Sequence, residues 1–173
     1  MIIKKISAII SFVRPFLFAF IFAIIINQFL IINAYVPSSS MESTVMTNDR
    51  VLANRVTYYI KKPERYDIVV FQYPDEPATL YVKRVIGLPG ETITIKNGKV
   101  YVNGSEKPLI DDFCKEPPLG DYGPFVIPQG HYFMLGDNRE NSNDSRFWKN
   151  HYVKENAILG KVILRYYPTI RKY

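Results

Sequence analysis

The hydrophobic pattern divides the chain into two regimes. Residues 16–36, FLFAFIFAIIINQFLIINAYV, run 21 positions without a charge, broken only by the amides Asn27, Gln28 and Asn33. A helix of that length spans about 31 Å, close to the hydrocarbon thickness of a bilayer. The pattern predicts a membrane anchor over 15–36, after a short segment 1–14. A cleavable secretory signal is one alternative. Its apolar core is shorter, roughly 7 to 15 residues, and Ile32 disfavours a small-x-small cut after Ala34. A buried helix of a soluble domain is the other, and Phe and Ile on every side argue against it.

From Val51 the period changes to that of strands. YDIVVFQY (66–73) and TLYVKRVIGL (79–88) are β-branched and aromatic, bounded by Pro and Gly. In ETITIKNGKVYVNG (91–104), alternating runs flank Asn97-Gly98, the pair favoured in a two-residue hairpin turn. GHYFMLG (130–136) and AILGKVILRYY (157–167) read as late strands, and PLIDDFCKEPPLGDYGPF (108–125) as a turn-rich surface excursion. No 3.6-period helix of useful length follows residue 37 and no repeat is visible. The expectation is one mainly β domain over 37–173, large enough for its own core.

Charge sets the orientation. Lys4, Lys5 and Arg14 precede the apolar run without an acid, which predicts a cytoplasmic N-terminus and an extracytoplasmic domain. The net charge of +6 suits an anionic membrane or nucleic acid and does not choose between them. The single cysteine, Cys114, excludes an intrachain disulfide. His131 and His151 are isolated, so no metal site and no cofactor is expected.

Candidate chemistry begins at VPSSSMEST (36–44), directly after the anchor. A serine hydroxyl is a weak nucleophile without a base beside it. Neither histidine has a distinctive setting, and both read as ordinary surface or hydrogen-bonded residues. Lys83 sits inside an apolar strand, where alternation puts Tyr81, Lys83 and Val85 on one face and Val82, Arg84 and Ile86 on the other. Burial disfavours the ammonium; a drop of about two pKa units, roughly 3 kcal/mol, makes such a lysine a usable base. The alternative is an edge-strand lysine that snorkels to solvent. GDNRENSNDSRFW (136–148) is either a plain polar loop or a rigid one, held by a bidentate Asp144–Arg146 pair, with Ser142 free to orient an amine.

Together PSSSM (37–41), RYDIVVF (65–71), YVKRVIGLPGE (81–91) and GDNRENSNDSR (136–146) resemble the boxes of the bacterial type I signal peptidases, over essentially the whole chain. The resemblance implies a membrane-anchored Ser-Lys protease with the signal-peptidase β-fold, built of antiparallel sheets. It implies Ser40 as nucleophile, Lys83 as general base, Ser38 Oγ and the Ser40 N–H as oxyanion hole, and Ser142 as the group that orients the lysine. Asp144 and Arg146 become structural support, as do Asp137 and Arg139, and Val36, Met41, Val45, Tyr81 and Val82 line shallow substrate pockets. The implied partners are secreted preproteins and membrane lipid, with no nucleic acid, and the implied location is the cell membrane in a single pass.

The chain departs from that pattern at three positions. Ser43 stands for the usual proline after the nucleophile, Tyr66 for the glycine of Arg-Gly-Asp, and Lys149 for a glycine after the last-box Trp. Two other classes compete. A non-catalytic peptide- or lipid-binding β domain needs neither Ser40 nor Lys83. A repressor-type Ser-Lys autoprotease carries a DNA-binding module where this chain has an apolar anchor.

Overall fold

The computed structural model describes residues 2–173, with side chains from Ser11 onward. The side chains of Lys4 and Lys5, on which the orientation partly rests, lie outside the described residues. Helix α1 (Ile2–Ile25) continues through a π-helical turn, Ile26–Leu30, and Ser11–Leu30 is long and apolar enough to cross a bilayer with none of it buried in protein.

The helical segment stops earlier than the sequence predicts. Residues 31–35 are not helix but strand β1 (Ile31–Tyr35), paired antiparallel with β2 (Arg50–Asn54) from Ile31↔Asn54 to Tyr35↔Arg50. The reason lies in the side chains. Ile32 and Val36 are buried in the core while Asn33 and Tyr35 face outward, a period of two hidden inside an apolar run.

The remaining elements are a four-residue helix α2 (Thr57–Ile60), β3 (Ile68–Tyr73), β4 (Glu76–Gly87), β5 (Thr92–Lys96), β6 (Lys99–Val102), β7 (Tyr122–Val126), β8 (His131–Leu135), β9 (Val153–Lys154), β10 (Ile158–Tyr167) and β11 (Arg171–Lys172). The main sheet runs β1-β2-β10-β3-β4-β8-β9, with β11 on β10; a second sheet runs β6-β5-β7. All described pairings are antiparallel, as expected of this mainly β domain. The β5–β6 hairpin turns at Asn97 and Gly98, both at positive φ (50° and 74°), as a type I′ turn requires.

Two features position the site. Strand β4 pairs with β3 over most of its length, from Tyr73↔Glu76 to Ile68↔Arg84, but with β8 only between Arg84 and Gly87. The β8-side edge of residues 79–83 is therefore left open. Across it lies the turn containing the short 3₁₀ helix Ser39–Met41, backed by Ile32, Val36, Met41, Val45, Val51 and Ile68 of the core.

Candidate active site

Strand alternation aims Lys83 at the serine turn. Its Nζ donates to Ser40 Oγ at 2.5 Å, across 43 positions of sequence, and both residues are 4% exposed. Burial lowers the Lys83 pKa from its ordinary value to about 8. Asp144 and then Asp137 pull it back up, and Arg146 adds to the depression. A lysine poised there is protonated in the main at neutral pH but keeps a usable neutral fraction, and that neutral amine accepts a proton. The snorkelling alternative does not hold, because this side chain points inward.

Ser38 Oγ lies 3.2 Å from Ser40 Oγ. The Ser40 carbonyl accepts from the Asn138 N–H at 3.1 Å, and the Asn138 amide donates to the Ser39 carbonyl at 3.1 Å. The serine turn is thus held from behind by the 136–148 loop. Gly136 allows that approach: a Cβ there would collide with Ser142 Oγ and with the Ser40 carbonyl oxygen. Ser142 Oγ therefore sits close to the Ser40 carbonyl, yet it makes no hydrogen bond to Lys83; it is buried with no partner among the described residues.

The expected Asp144–Arg146 pair is present and bidentate, at 2.7 and 2.9 Å, and fully buried. Asp144 also accepts from the Gly136 N–H at 3.1 Å, and Arg146 reaches the Arg139 carbonyl at 2.5 Å. Asp137 and Arg139, in the same loop, pair with distant partners. Asp137 takes a bidentate pair from Arg84 at 2.8 and 2.5 Å, and Arg139 gives one to Asp111 at 2.5 and 2.7 Å.

An open cleft of about 310 Å³ runs past Ser40 and Lys83, lined by Tyr35–Ser38, Ser40, Thr79–Lys83, Asn141 and Asn143. Val36, Tyr81 and Val82 line it as the resemblance implies. Met41 and Val45 do not: both are wholly buried in the core beneath the serine turn. The reason is the turn itself, in which Thr44 N and Val45 N both donate to the Met41 carbonyl, tucking these side chains under the sheet.

Sequence reading missed Tyr35, Pro37, Thr79, Leu80, Asn141 and Asn143. Thr79 follows from the same alternation that joins Tyr81 to Lys83. Asn141 and Asn143 alternate with buried Ser142 and Asp144, but in an all-polar segment alternation carries no hydropathy contrast. A larger cavity of about 400 Å³ touches His131, Tyr73 and Tyr152, and no Ser, Thr or Cys lines it. His131 and His151 bond the carbonyls of Gln129 and Ser145, away from the serine turn.

Residues 9–167 match the family model described as signal peptidase, peptidase S26. The chain is 40% identical over 158 residues to a protein of Synechocystis named probable signal peptidase I-2, covering 88% of this chain and 71% of that one. It is 36% identical over 178 residues to signal peptidase I P of Bacillus subtilis subsp. natto, covering 97% and 94%. The crystal structure of a signal peptidase I from Enterococcus faecalis superposes with a TM-score of 0.50 at 34% identity, covering 58% of this chain and 97% of that one.

Proposed function

This chain belongs to the signal peptidase (peptidase S26) family, and on that premise we propose that it removes signal peptides from secreted preproteins as a membrane-anchored Ser-Lys endopeptidase. The observation that carries the reading is the 2.5 Å approach of a buried lysine, with a pKa lowered to about 8, to a serine hydroxyl.

Neutral Lys83 takes the Ser40 proton as Oγ attacks the scissile carbonyl, then returns it to the departing amine. The ester so formed is hydrolysed in a second cycle, with Lys83 deprotonating water. The oxyanion is met by Ser38 Oγ and by the Ser40 N–H, one of the first amides of a short helix that have no intrahelical partner. Loss of one such donor costs about 3 to 4 kcal/mol in the transition state.

The substrate enters as an extended strand along the open edge of Thr79–Lys83, where main-chain hydrogen bonds supply affinity and alternate side chains meet the wall. That wall of Val36, Tyr81 and Val82 is shallow and suits the small residues one and three positions before the cut. Specificity of this kind comes from rigid collision more than from lost contact, since a spare methylene alone discriminates only about 10- to 200-fold.

In this reading Ser11–Leu30 anchors the enzyme, the N-terminal side of that span is cytoplasmic and the catalytic domain is extracytoplasmic. The domain begins at Ile31, not at residue 37, because β1 belongs to its sheet. Detergent-solubilised full-length protein incubated with a preprotein, followed by N-terminal sequencing, tests the activity. A new N-terminus after a small-x-small motif is expected from the wild type and none from Ser40→Ala; cleavage by Ser40→Ala at the wild-type rate sinks the assignment.

A further inference from the structure

The turn-rich excursion after β6 is not a free surface loop. Asp111 is tied to fully buried Arg139, and two residues later Phe113 meets three separate segments. Its carbonyl accepts from Ser43 Oγ at 2.5 Å. Its ring lies over the Arg84 guanidinium, 3.9 Å from centroid to Cζ, and packs edge-on against Tyr66 at 5.7 Å. Ser43 and Tyr66 are both non-glycine residues held at positive φ, 90° and 74°, a region that a Cβ disfavours. Both are also positions at which the chain departs from the boxes it resembles.

These contacts bracket the dyad. Ser43 lies three residues after Ser40 in the same turn. Arg84 follows Lys83 directly, and it also donates to the Tyr66 carbonyl at 2.9 Å and to Thr44 Oγ1 at 3.3 Å, again in the serine turn. Its ion-pair partner Asp137 precedes Asn138, whose N–H holds the Ser40 carbonyl. One residue thus touches the turn that carries the nucleophile and the side chain next to the base. A ring over the guanidinium face also keeps water off the Arg84–Asp137 pair.

We propose that Phe113 is a positioning residue that clamps the Ser40 turn to the Lys83 strand through Ser43 and Arg84. The loop 108–121 thereby sets the serine–lysine distance on which turnover depends. The proposal rests on the reading of Ser40 and Lys83 as the dyad. Small misplacements of reacting groups cost rate more than binding, about 100-fold for 1 Å. Phe113 does not line the cleft, so its loss is expected to leave substrate affinity alone.

The test uses the full-length enzyme in detergent and a preprotein substrate, with kcat and KM measured below the melting temperature of each variant. Phe113→Leu is expected to lower kcat about tenfold or more with KM within twofold, and Phe113→Tyr, which keeps the ring, to restore it. Ser43→Ala is expected to lower kcat as well, and the double variant with Phe113→Leu to lose less than the product of the two. Leu119→Ala, solvent-exposed on the same excursion, is the control expected to be silent. Unchanged kcat in folded Phe113→Leu, a loss confined to KM, no rescue by tyrosine, or full multiplicativity with Ser43→Ala each overturn the clamp. If Phe113→Leu does not fold, Ser43→Ala with wild-type kcat overturns it alone. Failure of the dyad itself is read separately, from activity in Ser40→Ala.

Discussion

Lys83 Nζ and Ser40 Oγ are 2.5 Å apart, on a β-strand and a 3₁₀ turn that share no local hydrogen-bond ladder. The lysine is buried and makes no ion pair among the described residues, although Asp144 and Asp137 are near enough to raise its pKa. Desolvation wins over those two carboxylates because each is already neutralised by an arginine, Arg146 and Arg84.

With Lys83 as the proposed base, activity is expected to follow its neutral form. The rate is expected to rise with pH through about 8 and to level off above it. His131→Ala and His151→Ala leave that limb in place. A kcat/KM profile whose rising limb lies near 6.5 and disappears with either histidine removes Lys83 as the base.

The same burial makes Lys83 a stability cost at neutral pH. Below about 8 both folded and unfolded chains carry the proton, and the folded state bears the full penalty. Between about 8 and 10.5 only the unfolded chain binds it, so wild-type stability rises with pH, by about 3 kcal/mol from this group. Lys83→Met is therefore expected to be inactive and more stable at pH 7, with the gain gone by about pH 10.5. Denaturant melts of both proteins at pH 7 and pH 10 measure this; an equal difference at the two pH values contradicts it.

Ser142 Oγ is buried without a partner among the described residues, so its removal relieves an unsatisfied group and does not break a bond. Ser142→Ala should melt at or above the wild-type temperature. If the hydroxyl rotates to orient Lys83 during turnover, kcat falls about 10- to 1,000-fold in the same variant. Full kcat in folded Ser142→Ala makes it a plain loop residue.

Asp144→Asn is expected to act through stability, because it leaves the Arg146 guanidinium buried without its charge partner, at a cost of about 3 to 5 kcal/mol. Thermal melts showing a loss below about 1 kcal/mol would mean that uncharged acceptors, the Arg139 and Ser142 carbonyls among them, suffice to hold Arg146.

Tyr66 keeps a positive φ of 74° without being glycine. Tyr66→Ala loses the ring and keeps the strain, while Tyr66→Gly loses the ring and relieves the strain. The glycine variant is expected to be the more stable of the two by about 1 to 2 kcal/mol. The reverse order in chemical denaturation contradicts strain at this position.

What the sequence determined by itself are features with a short-range cause. Hydropathy marks the apolar helix, Asn97-Gly98 specifies a hairpin, Asp144 and Arg146 are close enough along the chain to pair, and alternation along β4 separates Lys83 from Arg84. Residue types and spacing also identify the family. Tertiary structure decided what depends on distant partners. The helix ends at Leu30 because Ile31–Tyr35 find β2 to pair with, which no hydropathy run reports. Met41 and Val45 face the core and not the cleft because the serine turn folds back on the Met41 carbonyl. Asp137 chooses Arg84 over nearby Arg139, and Arg139 chooses Asp111, because a buried guanidinium takes the carboxylate that packing brings into its plane. The Phe113 contacts arise the same way. A period of two or 3.6 is written in neighbouring residues, whereas a partner 28 to 70 positions away is selected only when the whole sheet closes.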